Sequence, residues 1–233
     1  MSSLSGCYYL QSPVDPIPYE FEPSSPNTQS DDLLILLPGI GDYASAYRKR
    51  GFIDMLHQSG REIDVISVNA HFKYYQNKTF LKRLHEDIIL PAKQKGYKKI
   101  HLGGISLGGF GALLFLREHP EMVDSVIVLA PYMGENEHYV DFLRSQQQGG
   151  AVSDAGNLWP WLFDTSNTNG QLLEKIYLAY GLQDSFADDN AILASLIPDD
   201  HTQAIRGGHD WPTWTTLWQN WLSDDVLPFK FVF

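Results

Sequence analysis

A single cysteine, Cys7, among 233 residues excludes an internal disulfide and any cysteine-rich zinc site, so an apolar core must carry the fold. Basic residues are scarce: 17 Lys and Arg stand against 28 Asp and Glu, a net charge of −11. That balance argues against nucleic acid and anionic membrane surfaces as partners, because both call for clustered cations. No apolar run approaches the roughly 20 residues that cross a bilayer, so no transmembrane segment is expected. None of the eight histidines stands in an H-E-x-x-H spacing, and no metal role is expected of them. What the chain holds in quantity is apolar surface: 43% hydrophobic residues, with 12 Phe, 12 Tyr and 6 Trp. Such a composition rules out a disordered chain, suits one large domain, and makes an aromatic-lined cleft expected.

The lone cysteine closes the run Leu4-Ser5-Gly6-Cys7, which resembles a bacterial lipoprotein cleavage box. Such a box needs a charged segment and an apolar stretch upstream, and six residues precede Cys7 here. The chain as given therefore reads as cytoplasmic. The alternative is a periplasmic or membrane-anchored lipoprotein, lipidated at Cys7 after a signal peptide. Five prolines between Gln11 and Asp32, among Ser, Asn and Thr, mark residues 1–32 as an arm or tether. Within it Ile17, Tyr19 and Phe21 alternate with Pro18 and Glu20, a pattern that predicts an antiparallel edge strand where proline is tolerated.

From residue 33 to 233 short apolar runs alternate with helical patterns. Leu33–Leu37 is a continuous apolar run, and Ile63–Val68, Ile100–Gly104, Val126–Ala130 and Ile176–Tyr180 are similar, mostly apolar runs, as strands covered on both faces tend to be. Between and after them Ala44–Gln58, Phe80–Lys95, Leu107–Glu118 and Thr213–Leu222 carry helical spacing. Repeated βα units predict an α/β fold, a mostly parallel, doubly wound sheet with helices on both faces. The alternation breaks between residues 132 and 175, a stretch too long for an ordinary connection, which predicts a small helical, cap-like insertion.

Chemistry enters at Gly104-Ile105-Ser106-Leu107-Gly108, between a strand and a helix, the setting of a G-x-S-x-G nucleophile elbow. A sharp turn leaves no room for side chains two positions either side of the serine. It aims the hydroxyl and the next N–H at one spot. A serine needs a base to take its proton. His209, in the loop Arg206-Gly207-Gly208-His209-Asp210-Trp211-Pro212 after a short strand near Gln203–Ile205, is the candidate, with His201 and His71 behind it. The base needs an acceptor in turn, and Asp184, just past Ile176–Tyr180, fits the chain order Ser…Asp…His. Asp188 and Asp189 compete, but their place predicts the first turn of a helix, which acids favour. Pro38-Gly39-Ile40-Gly41 offers the N–H of Ile40 as a second oxyanion-hole donor beside that of Leu107. In the insertion Trp159, Trp161, Leu162 and Phe163 form a dense apolar cluster, and Trp159, Trp161 and Phe163 are expected to wall an acyl pocket.

Taken together, the turn Leu37–Gly41, the elbow Gly104–Gly109, the stretch Gly181–Asp184 and the loop Gly207–Trp211 resemble the α/β-hydrolase serine esterases. The resemblance is to the compact group that includes esterase D-like and feruloyl-esterase-like enzymes, and it covers residues 33 to 222. One departure is Pro38, where many relatives carry histidine before the oxyanion glycine. The resemblance implies hydrolysis of a small-molecule acyl ester through a covalent acyl-serine, by a Ser106–His209–Asp184 catalytic triad without a cofactor. Thioesterase or peptidase activity from the same triad, or a non-catalytic binding protein on a hydrolase fold, stay open as alternatives.

Overall fold

The computed structural model describes residues 11–148 and 156–229. Cys7 and its neighbours lie outside the described residues, so the lipoprotein reading has no structural counterpart. Among the described residues no helix is long and apolar enough to cross a membrane.

Seven strands form one sheet: β1 (Tyr19–Glu22), β2 (Asp32–Leu37), β3 (Asp64–Val68), β4 (Lys99–Ile105), β5 (Ser125–Leu129), β6 (Ile176–Gly181) and β7 (Thr202–Ile205). Their spatial order is β1-β3-β2-β4-β5-β6-β7. All neighbours run parallel except β1, which pairs antiparallel with β3 at one edge, Tyr19 facing Val68 and Phe21 facing Ile66. β2, β3 and β5 are buried along their whole length. This is why they read as mostly apolar runs rather than alternating ones, with Asp32, Asp64 and Ser125 at their amino ends. Because β2, β4, β5, β6 and β7 point the same way, the loops after them share one sheet edge, where a site can assemble.

The proline-containing segment before β1 is fastened to the body. Tyr74 Oη accepts from the N–H of Val14 at 2.8 Å and donates to its carbonyl at 2.9 Å, and Asp87 accepts from the N–H of Ile17 at 2.8 Å.

Two expected helices are interrupted, each for a local reason. The pattern Ala44–Gln58 divides into Ser45–Lys49 and Phe52–Gln58 at Gly51, whose φ of 76° is left-handed and open to glycine at little cost. The pattern Phe80–Lys95 becomes Phe80–Arg83, a π-helical stretch Leu84–Ile89 and Leu90–Gln94. Pro91 sits in the first turn of that last piece. It has no N–H for the usual i→i−4 bond and its ring crowds the carbonyl four residues back, so the chain before it widens. Residues 132–175 hold helices Asn136–Gln148, Trp159–Thr168 and Gly170–Leu173, with no strand among the described residues.

Candidate active site

Ser106 caps β4 in a strained conformation, φ 54° and ψ −116°, a region that non-glycine residues occupy only when their surroundings enforce it. Three hydrogen bonds do so. The Ser106 N–H donates to the Leu129 carbonyl at 3.0 Å, and the Ser106 carbonyl accepts from Phe110 at 3.1 Å and Tyr132 at 3.0 Å. Glycine makes the elbow sterically feasible. A Cβ on Gly104 would stand 2.3 Å from the Gly108 carbonyl carbon, and one on Gly108 would stand 2.0 Å from the Leu37 carbonyl oxygen. Backbone thus packs directly on backbone. The turn after β2 is thereby drawn beside the serine, a Cβ on Gly39 falling 3.6 Å from that of Ser106.

The loops after β6 and β7 bring the other two groups. Leu182 N–H donates to the Ile205 carbonyl and Gln183 N–H to that of Gly207, each at 2.8 Å, so the loops continue the β6–β7 pairing past the strand ends. Asp210 caps the final helix, Trp211–Ser223, accepting from the Thr213 N–H at 2.9 Å and from its hydroxyl at 2.7 Å. These bonds hold the Asp210 carboxyl below the ordinary aspartate range. Thr213 Oγ1 also accepts from the Gly208 N–H at 3.1 Å, so the cap and the histidine loop are one hydrogen-bonded unit.

His209 projects from that unit between two partners. Its Nδ1 lies 2.8 Å from Asp184 Oδ2 and its Nε2 lies 2.9 Å from Ser106 Oγ. An ionised carboxylate only accepts, so the proton sits on Nδ1 and leaves Nε2 to accept from the serine hydroxyl. The other Asp184 oxygen accepts from the Phe186 N–H at 2.8 Å, and the carboxylate is fully buried. Phe186 and Trp214 present themselves edge-to-face to the imidazole, each centroid 4.9 Å away, and restrict its rotation. The competing residues lie elsewhere. Asp188 and Asp189 stand in the first turn of the helix Ala187–Ala194. His201 stacks on Tyr177 at 4.0 Å, with Nδ1 3.2 Å from the carbonyl of Ile176, at the opposite end of β6. His71 is buried against Tyr74, and burial lowers its pKa.

Leu107 opens the helix Leu107–Glu118, so its N–H has no intrahelical acceptor. Ile40 lies in a turn closed by the Asp42 N–H on the Gly39 carbonyl at 3.2 Å, with its side chain half exposed.

The expected acyl wall is placed differently. Trp159 is 1% exposed and packs on Tyr139, while Phe163 stacks on Phe142 at 4.9 Å. Trp161 packs partly buried against the core. None of the three lines the apolar cavity of about 380 Å³ beside the site. Phe110 and Tyr132, the two residues hydrogen-bonded to the Ser106 carbonyl, do line it. Aromatic density in the sequence does not distinguish packing an insertion from walling a pocket, and here it packs. Sequence reasoning also misses Phe186, Trp214 and Thr213. Only Thr213 had a local signal, the Asp210-x-x-Thr213 spacing of a helix cap.

The sequence model of the alpha/beta hydrolase fold matches residues 32–165. Among solved structures, a ferulic acid esterase superposes with a TM-score of 0.60 at 18% identity, covering 82% of each chain. The S-formylglutathione hydrolase of Staphylococcus aureus superposes with 0.60 at 16% identity, covering 93% of this chain and 100% of the other. Est1E of Butyrivibrio proteoclasticus, bound to ferulic acid, superposes with 0.58 at 11% identity, covering 90% and 95%. No curated protein sequence matches the chain significantly. The structural likenesses, at these identities, speak for the shared architecture alone. With more than half the chain matched by the sequence model, and the sheet order and strand directions on the page, the protein belongs to the alpha/beta hydrolase fold family.

Proposed function

We propose that the protein is a serine hydrolase that cleaves carboxylic esters through an acyl-serine intermediate. The observation that carries this reading is the unbroken relay from Ser106 Oγ to His209 Nε2 at 2.9 Å and from His209 Nδ1 to Asp184 Oδ2 at 2.8 Å. A relay of this geometry lets the imidazole take the serine proton as the oxygen attacks a carbonyl, while Asp184 holds the tautomer and stabilises the imidazolium. The developing oxyanion is received by the N–H groups of Leu107 and Ile40. His209 then protonates the leaving alcohol, water adds to the acyl-serine with the same base, and the acid departs. In this reading residues 33–233 are the catalytic domain, 132–175 its cap-like insertion, and 1–32 an arm on its edge.

A fluorophosphonate probe tests the relay, since only an activated serine reacts quickly with it. The expected result is stoichiometric labelling at Ser106, absent in Ser106→Ala. That variant should also lose on the order of 10⁶ in turnover of p-nitrophenyl esters. Its thermal midpoint should not change. Labelling at another serine, or a variant retaining a few per cent of activity, overturns the proposal.

A further inference from the structure

The cavity of about 380 Å³ lies along the helix Leu107–Glu118, which begins at the elbow. Its lining includes Phe110, Leu114 and Arg117 from that helix, faced by Tyr75, Phe80 and Tyr132. At 3.6 residues per turn, positions 110, 114 and 117 fall within one stripe about 60° wide on the helix that Ser106 precedes. They rise about 6, 12 and 16 Å from Ser106 along the axis. The near end is tied to the elbow itself, because the N–H groups of Phe110 and Tyr132 both bond to the Ser106 carbonyl. Aromatic contact continues from there to the base: Phe110 against Tyr132 at 5.9 Å, Tyr132 against Phe186 at 5.5 Å, Phe186 against His209 at 4.9 Å.

The far wall is a parallel stack of Tyr75 on Phe80 at 4.3 Å. Gly111 lets it close on the helix, since a Cβ there would stand 2.4 Å from Tyr75 Oη and 2.8 Å from Phe80 Cζ. Arg117 is fixed in place, its Nε donating to Glu118 at 2.9 Å and one Nη to the Asn157 carbonyl at 3.2 Å. A guest running from Ser106 along the helix therefore meets Phe110 and Leu114 before the held charge of Arg117, with Lys78 a second cation in the cavity wall.

The geometry points to a pocket for the acyl chain of a medium-chain aliphatic ester, with Leu114 and Arg117 setting its length. The assignment rests on the hydrolase reading above and names the substrate class for it. An extended chain advances about 1.2 Å per bond, judged from the roughly 3.6 Å that three extended backbone bonds span. Roughly eight to ten carbons thus reach from the serine to Leu114. Shorter chains leave the apolar cavity unfilled, and longer ones must lie against the guanidinium or bend out. A cleft in the low hundreds of Å³, lined mainly by aliphatic and aromatic side chains, is the ordinary form of a small apolar ligand site.

The test is kcat/KM for p-nitrophenyl esters from acetyl to palmitoyl, with wild type, Leu114→Trp and Leu114→Ala. Wild type should gain up to about fourfold per added methylene until near octanoyl, then fall. Leu114→Trp should lower the octanoyl-to-acetyl ratio at least tenfold, and Leu114→Ala should raise the dodecanoyl-to-octanoyl ratio. Because the larger side chain could impair folding, octanoate and dodecanoate binding to Ser106→Ala and to Ser106→Ala with Leu114→Ala is measured by calorimetry as well, the second expected to favour dodecanoate. A profile flat in chain length, or ratios unmoved by both Leu114 variants, overturns the pocket while Ser106 labelling leaves the hydrolase reading standing. Fatty-acid binding that shifts with Leu114→Ala, without ester turnover or labelling, upholds the pocket and overturns the hydrolase reading instead.

Discussion

Asp184 and Asp188 are four residues apart, yet what surrounds each carboxylate differs. Asp184 is sealed from water, one oxygen on His209 and the other on the Phe186 N–H. Asp188 stands in the first turn of a helix, where any acid gains a little from the macrodipole. Next to it Asp189 is pushed above the usual carboxylate range by burial and by the charge of Asp188, so the second of the pair is also a poor partner for an imidazolium. In the proposed mechanism Asp184→Asn leaves the imidazole free to take the wrong tautomer and should cost around 10⁴ in turnover. Asp188→Asn should stay within about threefold of wild type, the scale of a surface charge change. Steady-state kinetics on the two purified variants decides it; equal losses would mean that either acid can serve. The place of Asp184 beside His209 was legible because chain order and strand position both lead there. Phe186 and Trp214, which bracket the imidazole, were not: a lone aromatic in a loop or a helix carries no mark of which ring it will face.

At the scale of elements, β2 to β6 were legible to within a residue because a parallel strand covered on both faces writes itself as a mostly apolar run, as Leu33–Leu37 does, whereas the edge strand begins at Tyr19, two residues after Ile17. The helices were less so. Gly51 and Pro91 act through single backbone positions that a periodicity count passes over. The elbow combines both kinds of information, since its glycines are visible in sequence but their different tolerances are not. Gly108 packs against the Leu37 carbonyl, which belongs to the central sheet and cannot move aside. Gly108→Ala should therefore cost several kcal/mol, as overpacking against rigid backbone does, and should give little folded protein. Gly39 has only ordinary contacts, 3.5 Å to the Ile105 carbonyl oxygen and 3.6 Å to Ser106 Cβ, and its φ is not left-handed. Gly39→Ala should change stability by less than about 1 kcal/mol, and any effect should appear in kcat, because the added methyl faces the serine. Chemical denaturation of both variants checks the first half, and esterase kinetics on Gly39→Ala the second. A Gly108→Ala protein of wild-type stability would contradict the close packing at the elbow.

At the scale of the whole molecule, the two ends of the sheet differ. The carboxyl ends carry the strained serine, the half-exposed His209 and the cavity. The amino ends are closed, and there His101 on β4 is 1% exposed, its Nδ1 2.7 Å from Ser125 Oγ on β5 and its ring edge-on to Phe229 at 5.1 Å. Burial disfavours the imidazolium and lowers its pKa to about 4. Unfolded, the same residue titrates near 6.5. Between those values the unfolded chain binds the extra proton and the folded one does not, so stability rises with pH through the window and is lost on acidification from about 6.5 towards 4. Linkage over that interval gives a loss of about 2 kcal/mol between pH 7 and pH 5 from this residue alone. For a chain of this size that is a fall of roughly 4–8 °C in Tm. Carboxylates titrating at lower pH add their own slope, so the comparison must be differential. His101→Leu gives up the bond to Ser125 and should be less stable than wild type at pH 7, yet its Tm should fall less between pH 7 and pH 5 by that same margin. Parallel Tm–pH curves for the two proteins would mean that His101 protonates in place and that the closed end of the sheet is not what makes the fold acid-sensitive.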